Sequence, residues 1–83
     1  MGTTVLPLGL LRNGQDGVLK EIYGGYGIQK RLSDMGLVRG NRIRVVKNDF
    51  GGPVTVSVGN LGEGRIVIGH GMALKIMVQQ AVS

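Results

Sequence analysis

Between Gly27 and Val46 the period of the apolar positions changes. Ile28, Leu32 and Met35 recur at i, i+4 and i+7, which places them on one face of a helix. From Arg42 the pattern alternates, with Arg42 and Arg44 outward and Ile43 and Val45 inward, as in a strand with one buried face. Gly36 stands between the two patterns, where a helix ends in the left-handed conformation that suits glycine. Leu37 then falls where it can pack back on Leu32, as in a Schellman ending. Arg39-Gly40-Asn41 supplies the turn into the strand. The predicted unit is a helix of about nine residues, a glycine stop, a turn and a strand. Such a helix is too short to persist alone in water, so its apolar face must rest on a sheet. In this reading Lys30 and Arg31 lie in the first turn and Asp34 in the last, against the helix dipole. Either solvent screens these charges, or the two cations and the helix start face an acidic partner or a phosphate.

The same reasoning extends to the rest of the chain. Met1–Thr4 is expected to be a loose end, and Leu6–Leu11 an extended lead-in that places leucines in the core around Pro7 and Gly9. Residues 12–17 form a turn cluster. Gly17–Tyr23 is the first strand, with Val18 and Ile22 inward. A glycine loop, Gly24–Gly27, leads into the helix. Asp49–Pro53 is a hairpin loop in which Gly51 and Gly52 can take positive φ, and Pro53 opens the next strand. Val54, Val56 and Val58 alternate with Thr55 and Ser57. Gly59–Gly64 turns, Arg65–Ile68 is a short strand, Gly69-His70-Gly71 breaks it, and Ala73–Gln79 closes the domain with Leu74, Ile76 and Val78 inward. The expected fold is mainly β: one domain over residues 5–79, a small barrel of five strands with one short α-helix between strands 1 and 2. Closure would remove exposed edges.

Composition narrows what such a domain can do. The chain has 83 residues, 16 glycines and no cysteine, so disulfides and thiolate metal sites are excluded. Its net charge of +5 favours acidic partners, yet the basic residues are dispersed from Arg12 to Lys75. No segment approaches the roughly 20 apolar residues of a membrane span. The N-terminal stretch has neither a basic start with a long apolar core nor the myristoylation pattern. We read the chain as soluble and cytosolic, without membrane insertion.

The residues point away from catalysis. The single histidine, His70, lies between glycines, and the five carboxylates fall in five different elements, so neither a nucleophile–base pair nor an acid–base pair is visible. One histidine and scattered acids do not make a metal site, and Met35, Met72 and Met77 read as core filler. Gly24-Gly25-Tyr26-Gly27 fails both the phosphate-loop and the dinucleotide patterns. No cofactor or small-molecule substrate is expected. Three aromatics, Tyr23, Tyr26 and Phe50, with no interleaving of aromatic and basic residues, give little for nucleic acid to stack on.

The segment Lys30-Arg31-Leu32-Ser33-Asp34-Met35-Gly36-Leu37-Val38-Arg39-Gly40 resembles the RRLxEMGLxxG signature of the ferrous iron transport protein A (FeoA) family. Gly24-Gly25, Gly51-Gly52-Pro53-Val54 and Ala73-x-x-Ile76-x-Val78 are similar to that family as well, so the resemblance spans Leu6 to Val78. It implies an SH3-like barrel in the bacterial cytoplasm. It also implies an accessory role to the ferrous iron permease, a membrane protein with a cytosolic GTP-binding domain, through protein–protein contact. The same module occurs at the C-terminus of iron-dependent repressors. Many family members carry a charged segment before the last strand, where this chain has Ile68-Gly69-His70-Gly71-Met72-Ala73. The expected partner-binding face is Tyr26, Lys30, Arg31, Arg39, Arg42 and Arg44, joined as a basic patch beside the helix. The alternatives are a nucleic-acid-binding barrel and a regulatory SH3-like module that binds a peptide.

Overall fold

The computed structural model describes residues 2–59 and 64–82. Its elements are β1 (Gly2–Pro7), a 3-10 turn (Leu8–Leu10), β2 (Asp16–Ile22), α1 (Tyr26–Asp34), β3 (Arg42–Asn48), β4 (Val54–Val58), β5 (Gly64–Ile68), α2 (His70–Ala73) and β6 (Ile76–Val82). The strands form one antiparallel sheet in the order β1-β6-β2-β3-β4-β5, with a single hydrophobic core. Leu8, Leu11, Leu19, Leu32, Leu37 and Ile43 are among its fully buried side chains, as are Val45, Val54, Val56, Ile76 and Val78. Among the described residues the outer strands β1 and β5 do not pair, so no ladder closes the barrel.

There are six strands, one more than expected. Gly2–Thr4 is not loose but pairs with Gln80–Val82, extending the β1–β6 ladder beyond Val5↔Gln79. Residues 8–10 are not extended: they tighten into the 3-10 turn, which buries Leu8 and Leu11 and leaves Leu10 outside. The predicted turn at Gly59–Gly64 lies largely outside the described residues.

Two β-bulges account for the misplaced inward positions. In β2 the partners step from Leu19↔Val78 to Glu21↔Met77, so Lys20 is an extra residue and the side-chain phase flips. Leu19 and Ile22 therefore point into the core, and Val18 is only half-buried. In β3 the pairing steps from Val45↔Val56 to Lys47↔Thr55, and Val46 is the extra residue. That second flip turns Asn48 inward. Its Nδ2 donates to the carbonyl oxygens of Gly9 (2.9 Å) and Leu11 (2.7 Å), and its Oδ1 accepts from the Phe50 N–H (2.9 Å). The Asn48 N–H donates to Asn13 Oδ1 at 2.7 Å. A buried amide with its bonds made replaces an apolar side chain here, and it ties the 3-10 turn to the β3–β4 loop.

In that loop Gly51 has positive φ as expected, but the second such residue is Phe50 (φ 50°), not Gly52. Pro53 precedes β4, which begins at Val54. Gly69-His70-Gly71 is not a plain break: His70–Ala73 forms one helical turn. That turn places Ala73 in the core, leaves Leu74 exposed, and delays β6 to Ile76.

Candidate functional site

The helix–stop–turn unit forms as its pattern predicts. α1 is nine residues long, with Leu32 buried and Ile28 and Met35 packed on the core. Gly36 takes φ 91°. The Leu37 N–H donates to the Leu32 carbonyl (2.8 Å) and the Gly36 N–H to the Ser33 carbonyl (2.9 Å), the two bonds of a Schellman ending. The following turn is pinned to β2: the Gly40 N–H donates to the Leu19 carbonyl, and the Leu19 N–H to the Asn41 carbonyl, both at 2.9 Å. Asn41 Nδ2 also caps the Gly36 carbonyl at 2.9 Å.

α1 begins at Tyr26, inside the expected Gly24–Gly27 loop and two residues before Ile28, after an extended Gly25. Lys30 and Arg31 are therefore not in the first turn, and Arg31 lies in the last, where a cation is favoured. Gln29 Nε2 donates to the carbonyls of Gly24 (3.2 Å) and Ile22 (3.4 Å), holding the helix start against the end of β2.

These ties leave an open groove of about 440 Å³ between α1, the end of β2 and the Leu37–Arg39 segment. Val38 is its exposed aliphatic side chain, with Ile22 and Leu37 buried behind it. Tyr26, 81% exposed, stands on its rim. Its charges are balanced. Lys30 Nζ lies 3.3 Å from Asp34 Oδ2, and Arg39 Nε lies 3.7 Å from Glu21 Oε1.

The structure thus brings together Tyr26, Lys30 and Arg39. It sets Arg42 beside Asp16 (3.3 Å) in a second hollow of about 330 Å³ against β6. Arg31 and Arg44 are exposed and line neither. Glu21, Gln29 and Val38 belong to the groove but not to the face expected from sequence. The Lys30–Asp34 pair is visible as an i, i+4 spacing. The Arg39–Glu21 pair is not, because it depends on how the turn folds back on a bulged β2.

Among the described residues no three His, Cys, Asp or Glu side chains gather as metal ligands, and no helix is long and apolar enough to cross a membrane. What the groove can do chemically is bind: it offers apolar contact, an aromatic edge and paired charges around a fixed backbone.

This is a small SH3-like barrel with a surface groove. The chain belongs to the FeoA family: residues 6–80 match the FeoA domain. It is 37% identical over 75 residues to a protein provisionally named Fe(2+) transport protein A in Methanocaldococcus jannaschii, covering 90% of this chain and 87% of that one. The crystal structure of an iron uptake regulatory protein, FeoA, superposes with a TM-score of 0.82 at 35% identity, over 93% of this chain and 100% of that one. The zinc-complexed FeoA of Stenotrophomonas maltophilia, described as a procaryotic SH3 domain protein, has the same fold, with a TM-score of 0.72 at 23% identity over 94% and 99% of the two chains.

Proposed function

We propose that this protein is an accessory of ferrous iron uptake that docks its α1–β2 groove on the cytosolic part of the GTP-binding ferrous iron permease. The observation that carries the reading is the groove itself: a trough of mixed apolar and paired charged side chains with an exposed tyrosine at its edge, in a chain of the FeoA family. It works as a binding module rather than an enzyme, at the cytoplasmic face of the membrane, with no cofactor, substrate or nucleic acid of its own. Because Lys30 and Arg39 already have carboxylate partners, recognition rests on Tyr26 and Val38 more than on net charge.

Binding of the purified chain to the soluble cytosolic part of the permease, measured by calorimetry, tests this. Tyr26→Ala together with Val38→Ser should weaken binding by about tenfold or more, as loss of an aromatic anchor does. Arg31→Gln, Arg42→Gln and Arg44→Gln should each change it by less than about threefold, as rim charges do. Undiminished affinity in the Tyr26 and Val38 variant would remove the groove from the interface.

A further inference from the structure

A second surface, the mouth, lies where the 3-10 turn, α2 and the β3–β4 loop meet, and none of their residues lines the groove. The 3-10 turn and α2 pack together there: a side chain at Gly9 would meet Leu74 Cδ2 at 3.0 Å and Ala73 Cβ at 3.6 Å. Asn48 joins the β3–β4 loop to the same turn through its bonds to Gly9 and Phe50. Three large apolar side chains are left outside on these segments: Leu10 (53% exposed), Phe50 (56%) and Leu74 (41%).

Phe50 is the informative one. It has φ 50°, a conformation that glycine or asparagine adopts more readily, yet its ring is outside the core. Folding does not explain an aromatic at that position. Each apolar residue also has a cation close by in the chain: Arg12 two positions after Leu10, Lys47 three before Phe50, and Lys75 directly after Leu74. All three cations are exposed, and none is in an ion pair among the described residues. The one acid equally near is Asp49. In the groove, by contrast, each cation has its carboxylate.

We infer that this mouth is a peripheral membrane-binding surface: Leu10, Phe50 and Leu74 enter the headgroup boundary of an anionic bilayer, and Arg12, Lys47 and Lys75 meet the lipid phosphates. Exposed apolar side chains, each with a cation close by in the chain that has no ion pair among the described residues, match both components of such an interface, the acyl boundary and the negative surface. A protein partner with an uncharged apolar patch would satisfy the leucines but not the surplus of positive charge. The surface is separate from the groove, so a groove-bound partner leaves it free.

The test is co-sedimentation of the full chain with phosphatidylcholine vesicles, with and without phosphatidylglycerol. Binding is expected only with phosphatidylglycerol and should fade as salt is raised. Phe50→Gly removes the ring while suiting the positive φ, so the fold is kept. It should weaken vesicle binding about fivefold or more. Lys47→Gln with Lys75→Gln should weaken it and flatten the salt dependence, whereas Val67→Ser, an exposed apolar residue on β5, should not alter it. No sedimentation with phosphatidylglycerol at low salt, or binding indifferent to Phe50→Gly, overturns the inference. Self-association without vesicles that Phe50→Gly abolishes would assign the patch to a second copy and overturn it equally. The vesicles contain no permease, so this result and the docking experiment can fail independently.

Discussion

The groove beside α1 and the mouth beneath the 3-10 turn use similar residues in opposite ways. In the groove, Lys30 faces Asp34 and Arg39 faces Glu21, so two cations are answered by two carboxylates. At the mouth, Arg12, Lys47 and Lys75 stand without ion-pair partners among the described residues, beside exposed leucines and a phenylalanine. The formal charge of +5 therefore does not describe any one face. A dispersed basic excess becomes a surface property only after folding decides which cations are answered. The two regions also differ in what holds them: backbone bonds around Gly36 with the exposed or half-buried amides of Gln29 and Asn41 for the groove, the buried amide of Asn48 for the mouth.

That difference can be broken experimentally. The largest effect should come from Asn48. Asn48→Ala strips the Gly9 and Leu11 carbonyls and the Phe50 N–H of their buried partner, and should lower the unfolding free energy by about 2–4 kcal/mol in urea denaturation. Asn48→Asp should do no better, since a carboxylate cannot donate to the two carbonyls. An Asn48→Ala loss within experimental error of zero would mean that the mouth is held by something else.

Gly17→Ala tests the frame that both regions share. Its Cβ would meet the Gln79 carbonyl oxygen at 2.5 Å and Val78 Cγ1 at 2.6 Å, so β2 and β6 must separate. We expect a loss of about 1–3 kcal/mol, visible in the same denaturation curves. Gly36→Ala should lose about 1–2 kcal/mol through backbone strain, because nothing lies closer than Val58 Cγ2 at 4.0 Å to obstruct the methyl. Amide exchange should then quicken in the last turn of α1 and the Leu37–Arg39 wall but not in the 3-10 turn; uniform quickening would show that the regions are not independently held.

The smallest effect is expected at Lys30. Its pair with Asp34 is exposed and runs in the less favourable order along the helix, so Lys30→Ala should shift stability by less than about 0.5 kcal/mol. A larger shift would show that the groove's charges support the fold.

The helix–stop–turn unit was legible because its signals are local. A period of 3.6, a glycine at the stop and a leucine one position later leave one geometry open, and Leu32, Gly36 and Leu37 occupy it. β4 was legible for the same reason, with Val54 and Val56 buried. The inward set of β2 was not. Lys20 looks like any exposed strand lysine, and only pairing with β6 makes it the bulge that brings Leu19 in place of Val18. Asn48 was missed because a polar residue at a strand end reads as turn-forming, and its four partners come from three separate positions before β2 and one after β3. Of the expected binding face, the structure gathers Tyr26, Lys30 and Arg39, which flank the stop, and disperses Arg31, Arg42 and Arg44.

By itself the sequence determined the mainly β character, the short helix and its glycine ending, and a family signature built on that ending. These are consequences of side-chain period and backbone conformation within a few residues. The sixth strand, the two phase shifts, the buried Asn48 and the pairing of cations with carboxylates arise only on folding. Each of those depends on register between segments far apart in the chain, where one inserted residue exchanges the inside of a strand for its outside.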